Sequence, residues 1–252
     1  MIKSSLATKQ GEPILEDQET VIYADNHTLF IEEVPPAMVA VESENNDKVY
    51  KQSGGYTVYK LFIGDFDEQG NGIQRIMNKL QQAQGEDVLE LHISSQGGVI
   101  AELLEMYNMC DSVFYNRITT FCNYGYSAGA LAFLFGQERA VYEYSDWMMH
   151  SYSGGFGGKR DDLISHLKHE DKRLTKFVDV ILGDYFSKKE LKQMHKGKDF
   201  WMTSTEMLER GIATHIIKNG TIIPAEEYLN TDEVKKVKKV KKDKKVKKYL
   251  LG

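Results

Sequence analysis

Between Tyr56 and Met149 two hydrophobic periods take turns, and this alternation constrains the fold more than any other feature of the 252-residue chain. Tyr56–Ile63 alternates with the period of two that a strand requires, and Gly64-Asp65 turns it. From Ile73 to Gln84 the apolar residues Ile73, Ile76, Met77 and Leu80 recur at helical spacing. Val88–Ile93 returns to strand character and stops at Gly97-Gly98, and Ile100–Met109 places Leu103, Leu104 and Tyr107 on one helical stripe. Arg117–Cys122 predicts a third strand, Ala128–Phe135 a buried helix, and Ala140–Tyr144 with Trp147–Met149 further strand pieces. A long amphipathic helix is predicted over Asp161–Phe186, through Ile164, Leu167, Leu174, Val178 and Ile181. Beyond Met207–Arg210, the stretch Ile212–Ile223 predicts a hairpin turning at Asn219-Gly220. Strands alternating with helices imply an α/β fold with parallel pairing and right-handed crossovers. The acid-rich stretch before Tyr56, punctuated by Pro35-Pro36 and Gly54-Gly55, reads as a few short strands and loops.

Composition narrows the class. At this length one domain buries about three quarters of its unfolded surface, so neither disulfides nor a metal is needed to hold it. Two cysteines, Cys110 and Cys122, exclude a disulfide scaffold, fit a reducing compartment and read as buried hydrophobes. The longest apolar run, Ala130–Phe135, is too short to span a bilayer, and Met1–Ser5 has no apolar stretch after its lysine. A soluble, cytoplasmic protein without membrane contact is the expectation. Net charge is −5, but residues 235–248 hold ten lysines and one acid, leaving 22 basic and 36 acidic side chains elsewhere. This Val-Lys-Lys tail reads as a solvated, self-repelling segment, or as a salt-sensitive contact to an anionic surface.

Four segments carry chemistry. Gly125-Tyr126-Ser127-Ala128-Gly129 places a serine where a β-branched strand gives way to a small-residue helix. The helix N-terminus favours an oxyanion on a neighbouring carbonyl, while a serine capping its own helix is an equal reading of this pentapeptide. Ser94–Val99 follows a strand and precedes a helix, and its paired glycines are able to leave a main-chain N–H aimed at a ligand. Trp147-Met148-Met149-His150-Ser151 ends an apolar strand in a histidine, where packing or capping is the commoner role. Lys198–Thr203 sets Asp199 beside an aromatic pair, where a turn or cap is the plain alternative. Together they supply a nucleophile, a base, an acid to orient the base, and oxyanion donors. The loop Gly154-Gly155-Phe156-Gly157-Gly158 lacks the Lys-Ser/Thr of a phosphate loop, and no cofactor is expected.

From about Tyr56 to Ile217 these segments resemble the Clp protease proteolytic subunit (ClpP) family of serine peptidases, in the crotonase-like superfamily. Ser95-Gln96-Gly97-Gly98 is similar to the family's S-P-G-G turn and Ser127-Ala128-Gly129-Ala130 to its S-M-G-A turn. Met148-Met149-His150 is similar to M-I-H, Gly154-Gly155-Phe156 to the following G-G-aromatic, and Asp199–Thr203 to D-x-F-L-[ST]. The resemblance implies a ClpP/crotonase-like α/β fold of repeated ββα units, with the helix at Asp161–Phe186 as a protruding handle. It implies Ser127 as nucleophile, His150 as general base and Asp199 as its orienting acid, with the Gly98 and Ala128 N–H groups as oxyanion hole. Substrate polypeptide would add as a strand between Gly98–Ile100, including Val99 and Ile100, and Ser151–Gly154, including Ser151, Tyr152 and Ser153. A homo-oligomeric ring or double ring and an AAA+ unfoldase are the implied partners. The organisation expected is an N-terminal extension over 1–55, a peptidase domain over 56–231 and the lysine-rich tail, without fixed structure, over 232–252.

The chain departs from the family at named places. Gln96 replaces a proline, Ser151-Tyr152 replaces Gln-Pro, Tyr126 stands where a small residue precedes the serine, and the first 55 residues do not resemble the family's axial loop. Such divergence resembles virus-encoded relatives that process scaffold or capsid proteins. A competing esterase of the α/β-hydrolase type needs the order Ser, acid, His, hence His215 after Asp199. A ring subunit without catalysis is the third alternative. His166 and His169 lie three apart on a helix without further ligands and read as solvated, His92 and His195 receive no role, and Asn219-Gly220-Thr221 is better explained as a turn than as a glycosylation site.

Overall fold

The computed structural model describes residues 20–24, 26–35, 38–42, 48–52, 55–66, 72–155, 157–232 and 234–235. Nearly all of the lysine-rich run, Phe156 and the first 19 residues lie outside these. The strands in chain order are β1 (Thr20–Ala24), β2 (His27–Val34), β3 (Met38–Glu42), β4 (Lys48–Gln52), β5 (Tyr56–Ile63), β6 (Val88–Ser95), β7 (Ile118–Tyr126), β8 (Glu138–Met149), β9 (Phe200–Thr203), β10 (His215–Lys218) and β11 (Thr221–Pro224). The helices are α1 (Gly72–Leu80), α2 (Ile100–Val113), α3 (Ala128–Phe133), α4 (Arg160–Leu182), α5 (Lys188–Met194), α6 (Ser204–Arg210) and α7 (Ala225–Leu229).

The chain is α/β. One nine-stranded sheet has the order β1-β2-β5-β6-β7-β8-β10-β11, with β9 paired to β8 and β3-β4 forming a separate hairpin. The central pairs β5-β6, β6-β7, β7-β8 and β8-β10 are parallel, as the alternating periods require. β6 shows why one face is the core: Leu89, Leu91, Ile93 and Ser95 are buried, while Glu90, His92 and Ser94 are half-buried on the other face. Each fully buried leucine or isoleucine of that row contributes about 2 kcal/mol of burial. Helix α1 packs on β1 and β2, and α3 on β6 and β7. Every residue of α3 is buried, and the Trp147 indole of β8 donates to the Ala130 carbonyl of α3 at 3.1 Å.

Several boundaries differ from the sequence reading. The pieces expected at 140–144 and 147–149 are one 12-residue strand with a register irregularity opposite Cys122/Tyr124, so its apolar alternation breaks where the strand does not. β2 pairs antiparallel along all of β5, so the sheet continues across position 55/56. The Asn219-Gly220 turn is as expected, both residues having positive φ. The long helix ends at Leu182, and α5 and α7 carry too few residues to show a period. On α4 only Leu174, Val178 and Leu182 are buried; Ile164 and Leu167, of the same predicted stripe, are 39% and 46% exposed.

The segment leading into β9 is braced by charge. Ser187 and Glu190 form a capping box at the start of α5, and the Glu190 carboxylate also accepts from Arg210 of α6 at 2.8 Å. Arg210 and Ser187 together hold the Glu190 carboxyl down to about 2 from an ordinary 4.5. A depressed carboxyl stabilises fully above its unfolded value and loses that contribution as the pH falls through the folded one. Wild type is therefore more stable than Glu190→Gln at pH 6, and the difference should shrink between pH 4.5 and about 2. Urea unfolding of both proteins across that range checks this, and a pH-independent difference would contradict it.

Candidate active site

Ser127 leaves β7 in a conformation few side chains accept, φ 54° and ψ −117°. Such strain costs about 1–3 kcal/mol and persists only where the surroundings enforce it. Here the Ser127 N–H donates to the Met148 carbonyl of β8 at 2.9 Å, its own carbonyl accepts from Leu131 of α3 at 3.2 Å, and α3 begins at the next residue. The Ser127 side chain makes no capping bond to the helix. The plain capping reading of the G-x-S-x-G segment therefore falls. Gly129 lets α3 approach β6, since a Cβ there would lie 2.8 Å from the Ser95 Cβ. Tyr126, unusual before such a serine, packs its ring 5.4 Å from that of Trp201 and donates its hydroxyl to Asp146 at 3.3 Å.

The second turn lies against the first. A Cβ on Gly97 would stand 2.7 Å from the Ser127 Cβ and 3.1 Å from the Ala128 nitrogen. Gly97 and Gly98 have φ of 106° and 128°, which L side chains rarely adopt. The Gln96 N–H goes to the Asp65 carboxylate, that of Gly97 to the Ser95 hydroxyl at 3.1 Å, and that of Val99 to the Phe66 carbonyl at 2.9 Å. The Gly98 N–H donates to no acceptor among the described residues. Ala128, first residue of α3, has no intrahelical acceptor for its N–H. Two donors thus flank Ser127 without assigned partners. Asp65 and Phe66 were not singled out in the sequence; the Gly64-Asp65 turn was the only signal there.

His150 and Asp199 are placed by the ends of two paired strands. β8 and β9 pair antiparallel, with Met148 opposite Trp201 and Met149 opposite Phe200, so His150 and Asp199 each adjoin the last pair of that ladder. Tyr126 of β7 pairs with Met148, which puts Ser127 beside the same end of β8. Among the described residues no hydrogen bond joins the side chains of Ser127, His150 and Asp199; the first two are half-buried and Asp199 is exposed. In unliganded sites such bonds are commonly long and tighten around substrate.

His215 lies elsewhere. It pairs with Ala140 near the start of β8 and binds Glu138 through Nδ1 at 3.1 Å. Most of the length of β8 separates Ala140 from Met148, on the order of 25 Å at strand rise. The Ser-acid-His order of an esterase is not assembled. Val99 already gives its N–H to Phe66, Ile100 opens α2, and Ser151, Tyr152 and Ser153 lie in a segment without regular structure. That segment is tied to α4 by the Tyr152 hydroxyl, which donates to Asp171 at 3.0 Å. His92 is stacked between Phe62 and Phe121 at 4.5 and 4.7 Å, and His195 binds Asp179 at 2.7 Å. Burial raises both cysteine thiols far above their ordinary range, so neither is a nucleophile near neutral pH. Among the described residues no three metal-ligating side chains group together, and no helix is long and apolar enough to cross a membrane.

Gly129→Ala should destabilise the protein by about 1–3 kcal/mol through overpacking against Ser95. Gly155→Ala, where an added Cβ meets no atom within 4 Å, should leave the melting temperature close to wild type. Thermal unfolding of the two variants checks the pair, and equal effects would contradict the close approach of α3.

The Clp protease family model matches residues 60–220 of the chain, from the middle of β5 to the β10-β11 turn, and so takes in Gly98, Ser127, His150 and Asp199. The ATP-dependent Clp protease proteolytic subunit 1 of Leifsonia xyli subsp. xyli (strain CTCB07) is 25% identical over 164 residues, a match covering 62% of this chain and 81% of the relative. With the fold, the serine turn and these matches in place, the chain belongs to the Clp protease family and is a ClpP-like serine peptidase.

Proposed function

We propose that the protein is a serine endopeptidase that cleaves unfolded polypeptides through Ser127, His150 and Asp199. The observation that carries this is the strained, uncapped Ser127, held by its own N–H to the strand that His150 follows. His150 takes the Ser127 hydroxyl proton as Oγ attacks the scissile carbonyl, and the Gly98 and Ala128 N–H groups bind the oxyanion formed. Asp199 keeps the imidazole in the required tautomer and stabilises its cationic form. Collapse of the tetrahedral intermediate breaks the peptide C–N bond, and His150 gives the proton to the leaving amine. Water, deprotonated by His150, then releases the acyl group and restores Ser127.

Substrate reaches this site as an extended strand beside Gly98–Ile100 and Ser151–Gly154, with Tyr152 fixing the second wall through α4. Family members form oligomeric rings and work with AAA+ unfoldases, which makes a second copy and an unfoldase the partners in kind. Helix α4 is proposed as the handle of such an assembly. Its exposed Ile164 and Leu167 are apolar surface that a second copy would bury.

The test is covalent. A fluorophosphonate should label wild type on Ser127, and Ser127→Ala should lose both label and peptide cleavage. Asp199→Asn should keep the fold and lower kcat by about 10⁴-fold. Peptide cleavage that persists in Ser127→Ala would overturn the proposal.

A further inference from the structure

The turn that carries Gly98 is held from outside by a carboxylate that the peptidase chemistry does not use. Asp65, which follows the end of β5, accepts the Gln96 N–H on Oδ1 at 2.5 Å. Its neighbour Phe66 brackets the same turn, donating its N–H to the Gly97 carbonyl at 2.8 Å and accepting from Val99. The Asp65 loop is itself tied back to the turn between β1 and β2. Gly64 donates to the Asn26 carbonyl at 3.1 Å, and the Asn26 side-chain amide donates to the Asp65 carbonyl at 3.2 Å. Two consecutive glycines at positive φ give this turn backbone conformations that other residues rarely adopt. A donor aimed at an oxyanion tolerates little movement, since a displacement of about 1 Å costs on the order of 100-fold in rate.

We propose that Asp65 is a positioning residue, which clasps Gln96 and thereby fixes the orientation of the Gly98 N–H. This rests on the peptidase function proposed above and adds to it a residue 31 positions upstream of the turn. The chemistry explains why position 96 needs the clasp. A proline there would fix its own φ and carry no N–H to satisfy. Gln96 does neither, so an acceptor from outside the turn supplies the restraint. The Asp65 charge itself opposes a nearby oxyanion, so the useful property of the side chain is its acceptor oxygen and not its charge.

The two effects separate by substitution. Asp65→Asn keeps an acceptor and drops the charge, and should retain kcat. Asp65→Ala should lower kcat about tenfold with KM within about twofold, because orientation and not substrate binding is lost. In a Gln96→Pro background the same Asp65→Ala change should cost less than about twofold, since the proline leaves no N–H to clasp. Hydrogen exchange at the Gln96 amide should be slow in wild type and fast in Asp65→Ala. An equal loss of kcat with and without the Gln96→Pro substitution, or unchanged exchange at Gln96, would overturn the clasp. Wild-type protein that neither cleaves peptide nor takes a fluorophosphonate on Ser127 would instead overturn the peptidase mechanism, and the positioning role with it.

Discussion

The hydrogen bond from the Ser127 N–H to the Met148 carbonyl, 2.9 Å long, joins two parts of the site that lie far apart along the chain. It extends the parallel β7-β8 ladder by one step past Tyr126 and forces the chain to turn into α3 from a positive φ. The bond has a cost on one side and a partner on the other. Strain of about 1–3 kcal/mol at Ser127 is offset by a helix buried along its whole length and by the Trp147 indole that ties that helix to β8. Because the restraint comes from the sheet and from α3, the serine hydroxyl is left without structural work at its helix.

Around that bond the site is built from strand ends. His150 follows β8 and Asp199 precedes β9, and the antiparallel pairing of those strands runs up to Met149 opposite Phe200, next to both residues. The weaker element is the Gly97-Gly98 turn, which lies beyond β6 and owes its shape to Asp65 and Phe66. Two kinds of restraint thus divide the site: Ser127, His150 and Asp199 adjoin the ends of β7, β8 and β9, while Gly98 sits on a turn held by Asp65 and Phe66. The β1-β2 turn reaches the site through Asn26, which gives the N-terminal strands a mechanical link to chemistry they do not perform.

Much of this was legible in the residues. Alternating periods imply the parallel pairing seen from β5 to β8, because strand and helix periods take turns along that stretch. The four motif segments were legible because glycine, serine, histidine and aspartate each stand at the end of a strand, where pattern breaks are easy to see. Three things were not. The irregularity in β8 interrupts its alternation and split it into two pieces, and β9 is too short at four residues to show a period. The Asp65 carboxylate on Gln96 is a contact between two turns, and no local pattern encodes it. The apolar stripe of α4 is visible in the sequence, but not that its first half is exposed in the single chain, since periodicity reports which face is apolar and not what covers it.

The central proposal is that the ends of β7 and β8, the start of α3 and the turn held by Asp65 together deliver Ser127, His150 and the Gly98 and Ala128 donors to one reacting carbon. Its most direct test is a crystal structure of the assembled protein carrying a phosphonyl group on Ser127. The phosphonyl oxygen should lie within about 3.1 Å of both the Gly98 and Ala128 nitrogens, with the His150 imidazole in hydrogen-bond reach of Ser127 Oγ. A phosphonyl oxygen turned toward solvent, or an imidazole beyond reach even through one bridging water, would contradict it.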